Sequence, residues 1–123
     1  MKYIFGLCES RHQIDKVNEY IFNSNFFKEE NSIFDYDRMF TQIDNMFKHI
    51  TKDDTIDLYV TGLTSALVAV INYCNYHYIQ LTLYHYDKNT GDYCSQNVHI
   101  WPVQFETIIK DYLKDEHLKE ISI

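Results

Sequence analysis

DLYVTGLTSAL, residues 57–67, decides how this chain folds. The run from Ile56 to Thr61 is short, apolar and rich in strand-forming side chains. Gly62 breaks it, and Thr64-Ser65-Ala66 opens a helix that continues to residue 76 on Ala, Val and Leu. A strand–glycine–helix junction of this kind aims backbone N–H groups and the positive end of a helix at whatever lies beyond the strand. That arrangement suits an anion such as a phosphate.

Outward from this junction, residues 79–86 read as the next strand. Strand, helix and strand joined by short links predict a parallel, right-handed crossover. Upstream, residues 3–7 form a first apolar strand, followed by the polar turn Cys8-Glu9-Ser10-Arg11-His12, in which Ser10 is placed to cap the next helix. Ile14, Val17, Tyr20 and Ile21 recur at helical spacing and predict that helix over 13–22. Residues 23–32 read as a loop with Phe26 and Phe27 tucked beneath it. Phe34, Met39, Phe40, Ile43, Met46, Phe47 and Ile50 recur at steps of three and four and predict a longer helix over 34–50.

Downstream, Lys88-Asn89-Thr90-Gly91 is a turn signal between two strand-like runs, so residues 93–100 return antiparallel to 79–86. A four-residue turn places His85 opposite Cys94. Pro102 punctuates, and Phe105, Ile108, Ile109, Tyr112 and Leu113 mark a last amphipathic helix over 104–118. The expected fold is one α/β domain over residues 1–123. It is a small Rossmann-like three-layer domain with parallel core strands and an antiparallel C-terminal edge hairpin.

Composition narrows the function. The 123 residues are 46% hydrophobic, with 11 tyrosines and 8 phenylalanines, enough for one real core. The formal charge of −7 disfavours duplex nucleic acid, whose binders present a basic surface. It leaves room for a small nucleotide, or for a basic protein partner attracted to the acidic surface. Cys8, Cys74 and Cys94 are an odd set without C-x-x-C spacing, which fits free thiols in a reducing compartment and no zinc framework. The N-terminus lacks the pattern of a signal peptide, and no apolar stretch is long enough for a membrane span. A cytoplasmic protein with no membrane contact, no metal and no cofactor is expected.

In Rossmann-like folds ligands bind beyond the carboxyl ends of the parallel strands. Those ends here are residues 8–12, 61–65 and 85–87. Thr61, Gly62, Thr64 and Ser65 supply hydroxyls, N–H groups and a close approach for a phosphate. They serve equally as a tight turn with Thr64 as the helix cap. The stretch lacks the lysine and glycines of a P-loop and is no G-x-G-x-x-G. Arg11 is either a bidentate phosphate clamp beside Ser10 or the surface partner of Glu9 or Asp15. His12 and His85 are the candidate acids or bases. His85 shares a face with Leu81 and Leu83, which suits a hydrogen-bonded structural role as well as a catalytic one. Tyr84 and Tyr86 lie on the opposite face, available to stack against a helix or on a purine base. A triad of Thr64, His85 and Asp87 fits poorly, because two residues apart on one strand the carboxylate does not readily orient the imidazole.

From Ile56 to about Tyr93 the chain resembles the central unit of CARF-type Rossmann-like domains, the cyclic-oligonucleotide sensors associated with CRISPR systems. The residues carrying the resemblance are Thr61, Gly62, Thr64 and Ser65, with Ser10 and Arg11 supplying the first-strand loop. The resemblance implies a phosphate-linked ligand held at these strand ends, commonly at a two-fold axis, and hence a homodimer. The chain is shorter than typical CARF modules and carries no effector domain. It is therefore more similar to a stand-alone ring nuclease or a phage-encoded protein that sequesters an antiviral defence signal. The leading expectation is binding of a nucleotide or cyclic oligonucleotide. The alternatives are an acidic inhibitor that occludes a basic nucleic-acid-binding protein, and a ring nuclease using His12 or His85.

Overall fold

The computed structural model describes residues 1–11, 13–28 and 32–99. The strands are β1 (Lys2–Cys8), β2 (Tyr20–Phe22), β3 (Thr55–Tyr59), β4 (Gln80–Asp87) and β5 (Asp92–Val98). The helices are α1 (Tyr36–Phe47), preceded by a 3-10 turn at Ser32–Phe34, and α2 (Thr64–Tyr76). The strands form one sheet in the order β2-β1-β3-β4-β5, parallel except for the antiparallel β4–β5 hairpin at one edge. This is a small Rossmann-like α/β domain. The hairpin register sets His85 opposite Cys94, as the four-residue turn predicts. No helix among the described residues is long and apolar enough to cross a membrane.

Alternation along the strands sorts the sheet into two unlike faces. Phe5, Leu7, Ile56, Leu58, Leu81 and Leu83 are buried on the face that carries the helices. Against them pack Met39, Ile43 and Phe47 of α1 and Ala66, Val70, Tyr73 and Cys74 of α2. The Phe5 and Phe47 rings meet at 5.1 Å, and the Tyr73 ring lies 5.7 Å from that of Phe47. Each fully buried Ile, Leu or Phe here contributes about 1.5–3 kcal/mol. The other face carries Ile4, Asp57, Tyr59, Thr82, Tyr84 and Tyr86, and is polar and aromatic.

Helix ends follow local chemistry. Asp35 caps α1 by accepting the Arg38 N–H at 3.1 Å. At the end of α2, Tyr78 takes a left-handed backbone at φ 57°, Tyr78 N–H donates to Asn75 and Ile79 N–H donates to Cys74. These two bonds close the helix and send the chain into β4. Beneath the loop at 23–28, the Phe22, Phe26 and Phe27 rings pack together as anticipated, with the Arg38 guanidinium 4.0 Å above the Phe26 ring.

Two expectations are corrected. Residues 13–22 form no helix: a loop leads into β2, which pairs parallel with β1. The backbone bonds Gly6 N–H to Glu19 and Glu9 N–H to Phe22 hold this short strand, and Ile21 and Phe22 are fully buried. Gly6 makes the pairing possible, because a Cβ there would fall inside the Tyr20 ring. Tertiary pairing thus overrides a spacing that fits a helix. Helix α1 is also shorter than expected, and Phe34 and Phe40 face outward instead of joining the core. The helix expected over 104–118 lies outside the described residues.

Candidate functional site: the carboxyl rim of the parallel strands

Strands β1 and β3 run side by side, so the chain leaves both at one rim. There the Thr61 hydroxyl accepts the Cys8 N–H at 3.1 Å and donates to the Cys8 carbonyl at 2.6 Å. This clasp fixes where the two loops diverge. Gly62 comes next at φ 77°, with Cys8 so close that an added Cβ would lie 2.9 Å from the Cys8 Cβ. Only glycine combines that backbone with that approach. Burial pushes the Cys8 thiol above its ordinary pKa, and a hydrogen bond from the Leu63 backbone opposes the shift.

Leu63, not Thr64, occupies the cap position of α2, and no side chain caps the helix. The first turn of α2 therefore keeps the donor character of an uncapped helix start. Ser65 instead donates its hydroxyl to the Ile33 carbonyl at 3.2 Å, tying α2 to the turn before α1.

Beyond β1, Glu9, Ser10, Arg11, Gln13 and Ser24 line an open cleft of about 520 Å³. Its wall is tied together by the Ser24 N–H, which donates to Glu9 Oε1 at 3.0 Å. Arg11 is exposed and makes no salt bridge with any described residue, so the alternative of a surface pairing with Glu9 or Asp15 is not formed. A second groove of about 470 Å³ lies between the helices, lined by Tyr36, Ser65, Val68, Ala69 and Asn72. Ser10 and Arg11 thus line one cleft and Ser65 the other. His12 lies outside the described residues.

At the end of β4, His85 Nε2 meets Gln96 Oε1 at 2.7 Å. This contact ties His85 across the hairpin to β5. Asp87 accepts the Asn89 N–H in the hairpin turn at 2.9 Å and does not orient the histidine. The pair therefore forms no triad with Thr64.

On the opposite face four tyrosines form a contiguous cluster, with Tyr59 buried beneath the others. Tyr59 stacks on Tyr84 with ring centroids 4.8 Å apart, and Tyr93 stands edge-on to Tyr59 at 5.0 Å and to Tyr86 at 5.4 Å. Tyr86 is 58% exposed, leaving much of its ring open to solvent. Burial raises the pKa of the Tyr59 and Tyr93 hydroxyls, so both remain neutral donors. Sequence reasoning singles out Tyr84 and Tyr86 but not Tyr59 or Tyr93. Strand alternation and the hairpin register, which pairs Tyr86 with Tyr93, carry the missing signal. Among the described residues, no group of three or more His, Cys, Asp or Glu side chains is placed to hold a metal.

Comparison of the chain with protein-family models, curated proteins and solved structures finds no match.

Proposed function

We propose that the chain binds a nucleotide or cyclic oligonucleotide at the carboxyl rim of its parallel strands. The observation that carries this reading is the uncapped start of α2, set by Gly62 beside the loop that holds Ser10 and Arg11. A phosphate at this rim would accept from the first N–H groups of α2, with Thr64 and Ser65 at its edge. Arg11 supplies the cation that offsets a net charge of −7. Tyr86 offers an exposed ring for a base. Thr61 acts by shaping the turn, because its hydroxyl is already engaged with Cys8.

Binding without turnover is the preferred form. His85 is engaged with Gln96, and Asp87, engaged in the hairpin turn, does not pair with it as an acid–base partner. A binder of this kind fits sequestration of a signal in defence or counter-defence. The test is a thermal-shift series with linear and cyclic nucleotides, alongside mass spectrometry of small molecules released from denatured protein. A shift of several degrees that Arg11→Ala abolishes supports the site. No shift across the panel, with an empty protein, overturns it. Phosphodiester cleavage lost in His85→Ala or His12→Ala would instead make the protein a ring nuclease.

A second reading rests on the outer surface of the helical layer, where Phe34, Tyr36, Phe40 and Val68 are exposed together with the groove beside Ser65. Such a surface suits a protein partner, and the acidic charge favours a basic one. A stoichiometric basic partner retained by Arg11→Ala and lost in Phe40→Asp would support this reading over the ligand.

A further inference from the structure

We propose that the outer edge of β5 pairs with the same edge of a second copy of this chain. The pairing is antiparallel about a two-fold axis at Ser95 and joins two five-stranded sheets into one. It does not depend on the nucleotide reading.

Backbone direction makes the first argument. The Tyr84 carbonyl accepts the Val60 N–H at 2.9 Å, so the backbone groups of Tyr84 turn toward β3. Successive residues of a strand alternate in this respect. Leu83, His85 and Asp87 therefore turn toward β5, where they face Gln96, Cys94 and Asp92. The residues between these, Tyr93, Ser95 and Asn97, turn their N–H and C=O groups away from β4. Among the described residues, β5 is the last strand in the sheet and nothing pairs with its outer edge.

The outward set is symmetric about its own centre. With Ser95 facing Ser95 of the second copy, Tyr93 faces Asn97 on both sides of the axis. Every outward residue then sits in a hydrogen-bonded pair, closing about six backbone bonds. Another centre leaves some of these groups unpaired.

Charge and edge composition point the same way. Natural edges are blunted by lysine, proline, bulges or shortness. The opposite edge of this sheet, β2, is only three residues long. Strand β5 has seven residues, its register with β4 is unbroken from Asp92 to Val98, and Asp92 is its one charged residue. In the proposed register Asp92 faces Val98 of the second copy, so two acidic chains meet without opposing like charges. The sheet face that carries Tyr84 and Tyr93 then continues across the axis.

The test is sedimentation equilibrium of the full chain over about a hundredfold range of concentration. A dimer is expected. Ser95→Pro removes an outward N–H that makes no bond to β4, so circular dichroism should stay native while dimer dissociation rises at least tenfold. A second variant keeps the register testable if that one misfolds. Residue 96 sits directly opposite native Cys94 of the second copy, in a pair whose Cα atoms lie about 4.5 Å apart, within reach of a disulfide. Mild oxidation of Gln96→Cys should give a covalent dimer whose peptide map shows 94–96 linkages. A chain that is monomeric at every concentration overturns the proposal. So does a dimer indifferent to Ser95→Pro, or one linked through 94–94 alone. An extended peptide or another part of the same chain on this edge would appear as a persistent monomer.

Discussion

The Thr61 hydroxyl both accepts from the Cys8 N–H and donates to the Cys8 carbonyl, at 3.1 and 2.6 Å, across a separation of 53 residues. One side chain thereby closes the ends of β1 and β3 at the rim where the ligand is proposed to bind. Valine has nearly the same shape but neither bond. Thr61→Val should destabilise the fold by about 2 kcal/mol, since the backbone groups of a buried Cys8 lose their partner. Thr61→Ser keeps both bonds and should recover most of that loss. Urea unfolding of the two variants checks this, and an undiminished Thr61→Val beside a weakened Thr61→Ser would show that the methyl group, not the hydroxyl, matters.

The contact between Gly6 and Tyr20 gives a second prediction. A Cβ on residue 6 would occupy the space of the Tyr20 ring and crowd Val17. Gly6→Ala should therefore cost about 1–3 kcal/mol by overpacking, with the loss concentrated in β2. In a Tyr20→Ala background the same change should cost much less. That coupling is read directly from a double-mutant cycle of unfolding midpoints. Additive losses would mean that the glycine acts through backbone freedom instead.

This contact also explains which parts of the fold are legible in the sequence. The β3–α2–β4 unit is local: Ile56–Tyr59, the Gly62 break and the Ala/Val/Leu run are contiguous, and helix α2 spans the expected residues. The β4–β5 register follows from one turn. Strand β2 is hidden because Ile14, Val17, Tyr20 and Ile21 satisfy a helical spacing, while the choice is made by β1, a distant partner. Gly6 is the available clue, as an isolated glycine inside an apolar strand often marks a close approach. At the rim, Arg11 and Gly62 can be placed from strand ends alone. That Thr61 spends its hydroxyl on Cys8, and that His85 finds Gln96, depends on cross-strand geometry that no spacing reveals.

Alkaline pH should unfold this protein earlier than its carboxylates or histidines would suggest. Burial pushes the Cys74 thiol from 9.0 up to about 12. Burial, and then the hydrogen bond to Asp44 at 2.9 Å, raise the Tyr73 hydroxyl above its ordinary value. Both groups hold their protons more tightly in the folded state. Their contribution is therefore constant below the unfolded pKa values; that of Cys74 falls as pH rises from 9 to about 12, and that of Tyr73 falls from 10 upward. Each group adds a slope of up to about 1.4 kcal/mol per pH unit within its window. Urea midpoints measured at rising pH should show this fall, and Cys74→Val should make it shallower. An unchanged slope in that variant would assign the fall to the tyrosines.

The three thiols should separate cleanly in reactivity. Cys94 is exposed on β5, whereas Cys74 is fully buried and Cys8 is buried against the Gly62 turn. A thiol reagent consumes the thiolate, which exposure favours and burial suppresses. Native protein should label rapidly at Cys94 alone, with Cys74 reacting only on global unfolding. Cys8 should report the rim, becoming labelled faster in Thr61→Val. Protection of Cys8 in that variant equal to wild type would show that the clasp does not hold the turn shut.

Arg11 and Tyr86 should contribute separable parts of nucleotide affinity if the rim is the binding site. Arg11 stands in the cleft of Glu9, Ser10, Gln13 and Ser24, whereas Tyr86 lies on the tyrosine face at the end of β4. Loss of a charge-assisted bond to phosphate costs about 1.5–3 kcal/mol, so Arg11→Ala should weaken binding by roughly ten- to a hundredfold and flatten its salt dependence. Arg11→Lys should restore only part of this, because an ammonium does not reproduce the bidentate fork. Tyr86→Ala should remove about 1–3 kcal/mol of stacking at any salt concentration, while Tyr86→Phe keeps it. Calorimetric titrations at two ionic strengths distinguish these effects. If Arg11→Ala leaves the salt dependence unchanged, the phosphate is held elsewhere. If Tyr86→Ala leaves affinity unchanged, the base does not reach the tyrosine face.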